Sequence, residues 1–231
     1  MNNIKILGLD VSTNNCSVAL LYNEQIEEIS SGSNTIRAQK LLSMINELLI
    51  KTKIKESELT ALAFGAGPGS FTGLKIASSV IQGLSLAWNK PIIKVSTLWA
   101  LALQAFEQLN VQDSYNDKYI MPCIDAKMGQ VYYGVYSAAF QNHLLPKPIQ
   151  EDSLAKPEQI KISNKDILVV GDGAYIVQQK MFLDPDQKLT IEPTIQHIKA
   201  ECIVRLAEYY YKENDAIIIN NADPIYLKLY D

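Results

Sequence analysis

Gly65-Ala66-Gly67-Pro68-Gly69-Ser70-Phe71-Thr72-Gly73-Leu74-Lys75 carries a glycine and proline loop directly into an almost uncharged helical stretch. Four glycines in nine positions let the backbone take left-handed angles and approach another surface closely. Pro68 fixes one dihedral, and Ser70 stands where it can cap the helix that follows. The approaching surface is either a phosphate or a protein. Residues 61–65 read as a short buried strand entering the loop, and residues 70–89 as the helix leaving it. Residues 91–95 read as another buried strand and residues 98–109 as another helix. Upstream, residues 4–10 and 16–22 are strands joined by the turn Ser12-Thr13-Asn14-Asn15, with a third strand near residues 25–30. A helix is expected from about residue 35 to residue 52. There Ala38, Leu41, Leu42, Ile45, Leu48 and Leu49 recur on one face. The order is βββαβαβα.

Near residue 110 the chain turns polar, through Asn110, Gln112, Asp113, Ser114, Asn116 and Asp117, and a strand-turn-strand pattern then begins again. Asp10, a turn and Ser17 to Tyr22 are echoed by Asp125, a shorter turn and Gln130 to Tyr136. Residues 167–170 form a strand ending in Gly171-Asp172-Gly173, as residues 61–64 end in Gly65-Ala66-Gly67. The pattern predicts an α/β chain of two similar halves, residues 1–109 and 110–231. Residues 141–165, with three prolines, are expected to be an inserted loop; residues 200–212 read as a helix and residues 217–219 as a late strand.

The 231 residues are 48% apolar and 20% charged, an ordinary globular composition. With a net charge of −4 and its 21 Lys and Arg scattered, the chain has no concentrated basic face for holding nucleic acid alone. Cys16, Cys123 and Cys202 lack paired spacing and are expected as buried free thiols. The first residues enter a strand pattern with no signal peptide, and no apolar run approaches the roughly 20 residues that span a bilayer, so a cytoplasmic location is expected.

Several chemistries lack their residues. The glycine loop has no lysine where a P-loop needs one, and it fails the dinucleotide fingerprint. Ser70 stands one place early for a nucleophile elbow and reads as a helix cap. His143 and His197 have no neighbouring ligand at i+3 or i+4, so no metal centre is expected. Asp10, at a strand end beside Ser12 and Thr13, is placed either to position a hydrated magnesium and a phosphate or to fix its own turn. Between Phe71 and Asn89 the sole charged residue is Lys75, although a surface helix normally shows a charged stripe. That helix is either wholly buried in its own domain or covered by a partner.

Five segments in family order resemble the TsaB (YeaZ) family: Gly8 to Thr13, Gly67 to Lys75, Val95 to Leu98, Ile124 to Tyr132, and Ala222 to Lys228. The resemblance implies the actin-like ATPase (ribonuclease H-like, ASKHA) fold of two βββαβαβα-type halves, the last segment being a candidate to pack back on the first. It implies a non-catalytic subunit for threonylcarbamoylation of the adenosine beside the anticodon (t6A) in tRNAs that read codons starting with A. The implied partner is the catalytic paralogue TsaD, with a TsaE-type ATPase and tRNA reached through the complex, and a homodimer when TsaD is absent. By that analogy the partner interface is Ala38, Leu41, Leu42, Ile45, Ser70, Phe71, Gly73, Leu74, Ala77, Ser78 and Ile81. Asp10, Ser12, Thr13, Gly171 and Gly173 would line a vestigial nucleotide cleft with at most weak ATP or ADP binding and no metal. Two departures stand out. Arg37-Ala38-Gln39 occupies a place where family members often carry a histidine, and no glycine follows Asp10 by two residues, as actin-like ATPases usually have. The competing reading is an independent actin-like ATPase or phosphotransferase. A peptidase has neither a nucleophile-base pair nor a metal cluster to work with.

Overall fold

The computed structural model describes residues 4–32, 38–108, 118–137, 145–163, 166–213, 218–219 and 221–227. The chain forms two compact units, one of residues 1–100 and 198–225, the other of residues 101–197 and 226–231. The crossing points differ from a single cut after residue 109. The first falls within a helix, and residues 198–225 return to the first unit.

In the first unit, β1 (Ile6–Asp10), β2 (Cys16–Tyr22) and β3 (Gln25–Ser31) form an antiparallel meander. β4 (Ala61–Gly67) and β5 (Ile92–Ser96) add in parallel beside β1, and β11 (Ile218–Ile219) pairs antiparallel with β5. The sheet order is β11-β5-β4-β1-β2-β3. β1 and β4 are buried along their whole length, as strands covered on both faces must be, while β3 is the polar edge.

Helix α1 (Ala38–Thr52) buries Leu41, Met44, Ile45 and Leu48, and α2 (Phe71–Trp88) buries Leu74, Ala77, Val80 and Ile81. The Ser70 hydroxyl accepts the Gly73 N–H at 3.4 Å, and Asn89 ends α2 in a left-handed conformation. α3 (Thr97–Gln108) follows β5. Helix α5 (Ala200–Lys212) lies on β1 and β2. Gly8 permits this approach, because a Cβ there would stand 2.5 Å from Val204 Cγ1. Lys199, just before α5, supplies no side-chain cap; the Ser17 hydroxyl accepts the Ala200 N–H at 2.9 Å and Glu28 Oε1 accepts the Glu201 N–H at 3.3 Å.

The second unit contains β6 (Lys118–Lys127), β7 (Gln130–Ser137), β8 (Lys147–Ala155), β9 (Asp166–Val170), α4 (Ala174–Lys180) and β10 (Lys188–Ile191). Its sheet order, β10-β9-β6-β7-β8, repeats β5-β4-β1-β2-β3 strand for strand and direction for direction. Met121, Cys123, Val131, Val135, Ile167, Val169 and Val177 form its core.

The repeat expected from the two Asp-turn-strand echoes is therefore present as topology. One expectation fails: residues 147–155, inside the supposed inserted loop, form the edge strand β8. Pro148 stands opposite Tyr136 in the pairing with β7, and a sheet edge is where a strand tolerates proline. The three cysteines are free and buried. Among the described residues no helix is long and apolar enough to cross a membrane.

Candidate functional site

Asp10 ends β1 with 1% of its surface exposed. Its Oδ1 accepts the Ser12 N–H at 3.1 Å, and the Ser12 hydroxyl lies 3.0 Å from both carboxylate oxygens. Burial pushes the Asp10 pKa up to about 7, against the opposing pull of the Ser12 bonds. Thr13 is also buried, and its hydroxyl has no hydrogen-bond partner among the described residues. Asp10 is thus closed to solvent, and its polar capacity goes mainly to its own turn, the plainer of the two roles its position allows.

The glycine loop folds over this same turn. A Cβ on Gly65 would collide with Asp10 Oδ2, and one on Gly73 would collide with the Val11 carbonyl. A Cβ on Gly69 would lie 2.7 Å from the Ser12 carbonyl, and the Ser70 N–H donates to that carbonyl at 2.8 Å. The Thr97 hydroxyl donates to the Pro68 carbonyl. The surface that Gly65, Gly69 and Gly73 approach is the chain's own strand-end turn. The contacts with Asp10, Val11 and Ser12 join positions more than fifty residues apart, so no local signal could have found them.

The second unit repeats the device. Asp125 Oδ1 accepts the Lys127 N–H at 2.8 Å, two residues on, as Asp10 does from Ser12. Its other oxygen pairs with Lys127 Nζ at 2.7 Å. Asp172 Oδ1 accepts the Asp125 N–H at 2.9 Å, and burial raises the Asp172 pKa. Gly171 has φ +98°, and a Cβ there would collide with the Cys123 carbonyl; Gly173 sends its N–H to that carbonyl at 3.0 Å. Asp10, Ser12 and Thr13 are thus gathered in the first unit, and Gly171 and Gly173 in the second. His197 is half-buried with no hydrogen-bond partner for Nδ1 among the described residues, whereas His143 lies outside them.

The helix faces require a correction. Leu41, Ile45, Gly73, Leu74, Ala77 and Ile81 are buried inside the first unit, so the apolar period identifies the face its own sheet covers. Ser70 and Phe71 are exposed, Leu42 is exposed, and Ser78 is half-buried. Ala38 begins α1, but its side chain lies outside the described residues, as does Arg37 altogether.

What α1 and α2 leave uncovered includes four large apolar side chains among polar ones: Leu42 is 46% exposed, Ile50 68%, Phe71 65% and Leu86 76%. Ser79, Gly83 and Ala87 lie outward on α2, and a Cβ on Gly83 would meet nothing within 4 Å. Lys75 Nζ sits 5.8 Å from the Phe71 ring centre, within cation–π range. The two helices touch each other. Ile50 and Leu86 were not singled out from sequence; apolar residues off the periodic stripe were the signal that could have found them.

The family model for TsaD, tRNA N6-adenosine threonylcarbamoyltransferase, matches residues 36–217. The tRNA threonylcarbamoyladenosine biosynthesis protein TsaB of Haemophilus influenzae is 30% identical over 235 residues, 99% of this chain and 95% of the relative. The Escherichia coli protein of the same name is 27% identical and aligns with 97% of this chain and 95% of its own length. The solved structure of YeaZ from Pseudomonas aeruginosa superposes with a TM-score of 0.83 at 30% identity, covering 97% of this chain and 100% of that one. With its doubled sheet, its paired strand-end turns and these relatives, the chain belongs to the TsaB (YeaZ) family of TsaD-like proteins.

Proposed function

We propose that this chain is a subunit in tRNA threonylcarbamoyladenosine biosynthesis that pairs with a TsaD-type paralogue through the outward faces of α1 and α2 and leaves the transfer chemistry to that partner. The observation that carries the reading is the outward surface of α2. It presents Phe71 and Leu86 to water, with Lys75 as the one charge between Phe71 and Asn89. Fully burying a side chain of that size is worth about 1.5–3 kcal/mol, so a partner covering both gains substantially. The outward Gly83 lets a second backbone come close, which offsets the helical stability that an interior glycine forfeits. In this reading a second copy uses the same face when the paralogue is absent, and a TsaE-type ATPase and tRNA are met through the complex. The cytoplasm, where tRNA is modified, is the matching location.

Leu86→Glu tests the surface. We expect it to fold like wild type and to lose co-purification with the TsaD-type paralogue; normal co-purification would overturn the reading. Ala77→Arg is no substitute, because Ala77 is wholly buried and a cation there attacks the core.

A second reading has two observations in its favour: burial pushes the Asp10 pKa up to about 7, and the buried Thr13 hydroxyl three residues on has no hydrogen-bond partner among the described residues. Steady-state ATP hydrolysis by the purified chain, lost in Asp10→Ala, would favour an independent ATPase or phosphotransferase over the subunit role.

A further inference from the structure

Ala222-Asp223-Pro224-Ile225 follows β11 and takes no part in the turns or helix faces described above, yet it holds α2 at two levels. The Ile225 N–H donates to the Ala66 carbonyl at 2.7 Å, in the loop that launches α2. The Ala222 N–H donates to Gln82 Oε1 at 2.9 Å, about three turns along that helix from its start. The Ala222 side chain is buried in the same core as Ala77, Val80 and Ile81. Asn221 Nδ2 donates to Asp223 Oδ2 at 2.6 Å and the Asp223 N–H returns to Asn221 Oδ1 at 3.2 Å, folding the segment into a turn between its anchors.

The loop is shaped to receive it. Gly67 has φ +119°, and a Cβ there would stand 2.6 Å from the Ile225 carbonyl and 3.2 Å from Leu74 Cδ1. Gly67 thus lets the segment lie directly on the entry to α2. That helix needs outside support, because Gly73 and Gly83 weaken it internally and its surface offers no charged i to i+4 pair.

We infer that residues 221–225 are a clip that sets the N-terminal half of α2 and, through it, the outward face that meets the paralogue. The inference rests on the partner reading above. With the clip in place α2 presents one rigid face; without it the first turns open locally, and the partner must bear the cost of ordering them.

Amide hydrogen exchange on the isolated full chain tests this without the partner. Ile225→Pro removes the N–H that bonds Ala66, Ile225→Ala keeps it, and a chain ending at Asn220 removes the whole segment. We expect exchange over residues 71–77 to rise about tenfold or more in the proline variant and the shortened chain. The alanine variant should stay at the wild-type rate, and β1 and β2 should be unchanged in all. Affinity for the TsaD-type paralogue should fall about tenfold with the same two changes. Unchanged exchange in α2, a rise spread evenly over β1 and β2, or full affinity despite a loosened α2 would each overturn the clip. Wild type failing to bind the paralogue would remove the partner reading alone, while the exchange pattern would still decide the clip.

Discussion

The two halves end their first strands in the same way and treat the result differently. Asp10 and Asp125 each accept the N–H two residues on, and each is overlooked by glycines from the strand that follows in parallel. Asp10 is sealed, bonded to Ser12 through both oxygens, and driven up to about pH 7 by burial. Asp125 is partly exposed and neutralised by the ammonium of Lys127 at 2.7 Å. One backbone device thus serves as a dry lock in the first unit and a solvated turn in the second. The difference lies in what covers it: the first unit lays Gly65, Gly69 and Gly73 over its turn, whereas the second reaches its turn with Gly171, Asp172 and Gly173.

The largest expected effect comes from filling the lock. Gly65→Ala puts a methyl group on Asp10 Oδ2 and should cost about 3 kcal/mol in chemical denaturation. Gly173→Ala, whose Cβ would keep 3.1 Å from its nearest atoms, should cost about 1 kcal/mol. Because a carboxylate is the obstacle, Gly65→Ala should cost markedly less when combined with Asp10→Ala; strict additivity of the two would break the comparison.

Next is the charge itself. Between pH 3.8 and about 7 the folded state retains the Asp10 proton and the unfolded chain does not. This group therefore lowers wild-type stability as pH rises through that window, and the penalty is complete above pH 7. Asp10→Asn carries no such penalty. Its thermal midpoint should exceed that of wild type at pH 8, and the gain should vanish towards pH 4. An equal difference at both pH values would show that the carboxyl is not buried as described.

The smallest effect belongs to the solvated turn. Asp125→Asn removes an ion pair with an exposed lysine and should shift stability by less than about 1 kcal/mol, less still at high salt. A loss as large as that from Gly65→Ala would make the two turns equivalent.

Much of the fold is legible locally. Alternation and apolar runs reveal β1, β2 and β4, and the 3.6-residue period reveals α1 and α5, because each of these segments is long enough to show its own rhythm. β8 is obscured by Pro148, which only its place at a sheet edge permits. α4 spans only seven residues, too few to express a period, and residues 35–37, where the sequence places the start of the first helix, lie outside the described residues. The candidate interface shows the limit most clearly. The family analogy placed at the interface Leu41, Ile45, Ala77 and Ile81, which the chain's own fold buries, and passed over Ile50 and Leu86, which are 68% and 76% exposed.

Sequence alone determined the order of elements in the first unit and the helix cap at Ser70, since each is set by residues within a turn or two of one another, and the recurrence of the strand-end Asp turn signalled the doubling of the chain. Tertiary structure decided what the glycines of residues 65–73 are for and which surface of α2 remains open. Both depend on contacts between distant parts of the chain: Gly65 with Asp10, Gly73 with Val11, Ala66 with Ile225. A local pattern records that a glycine must admit something or that a helix must be covered; only the packed chain shows by what.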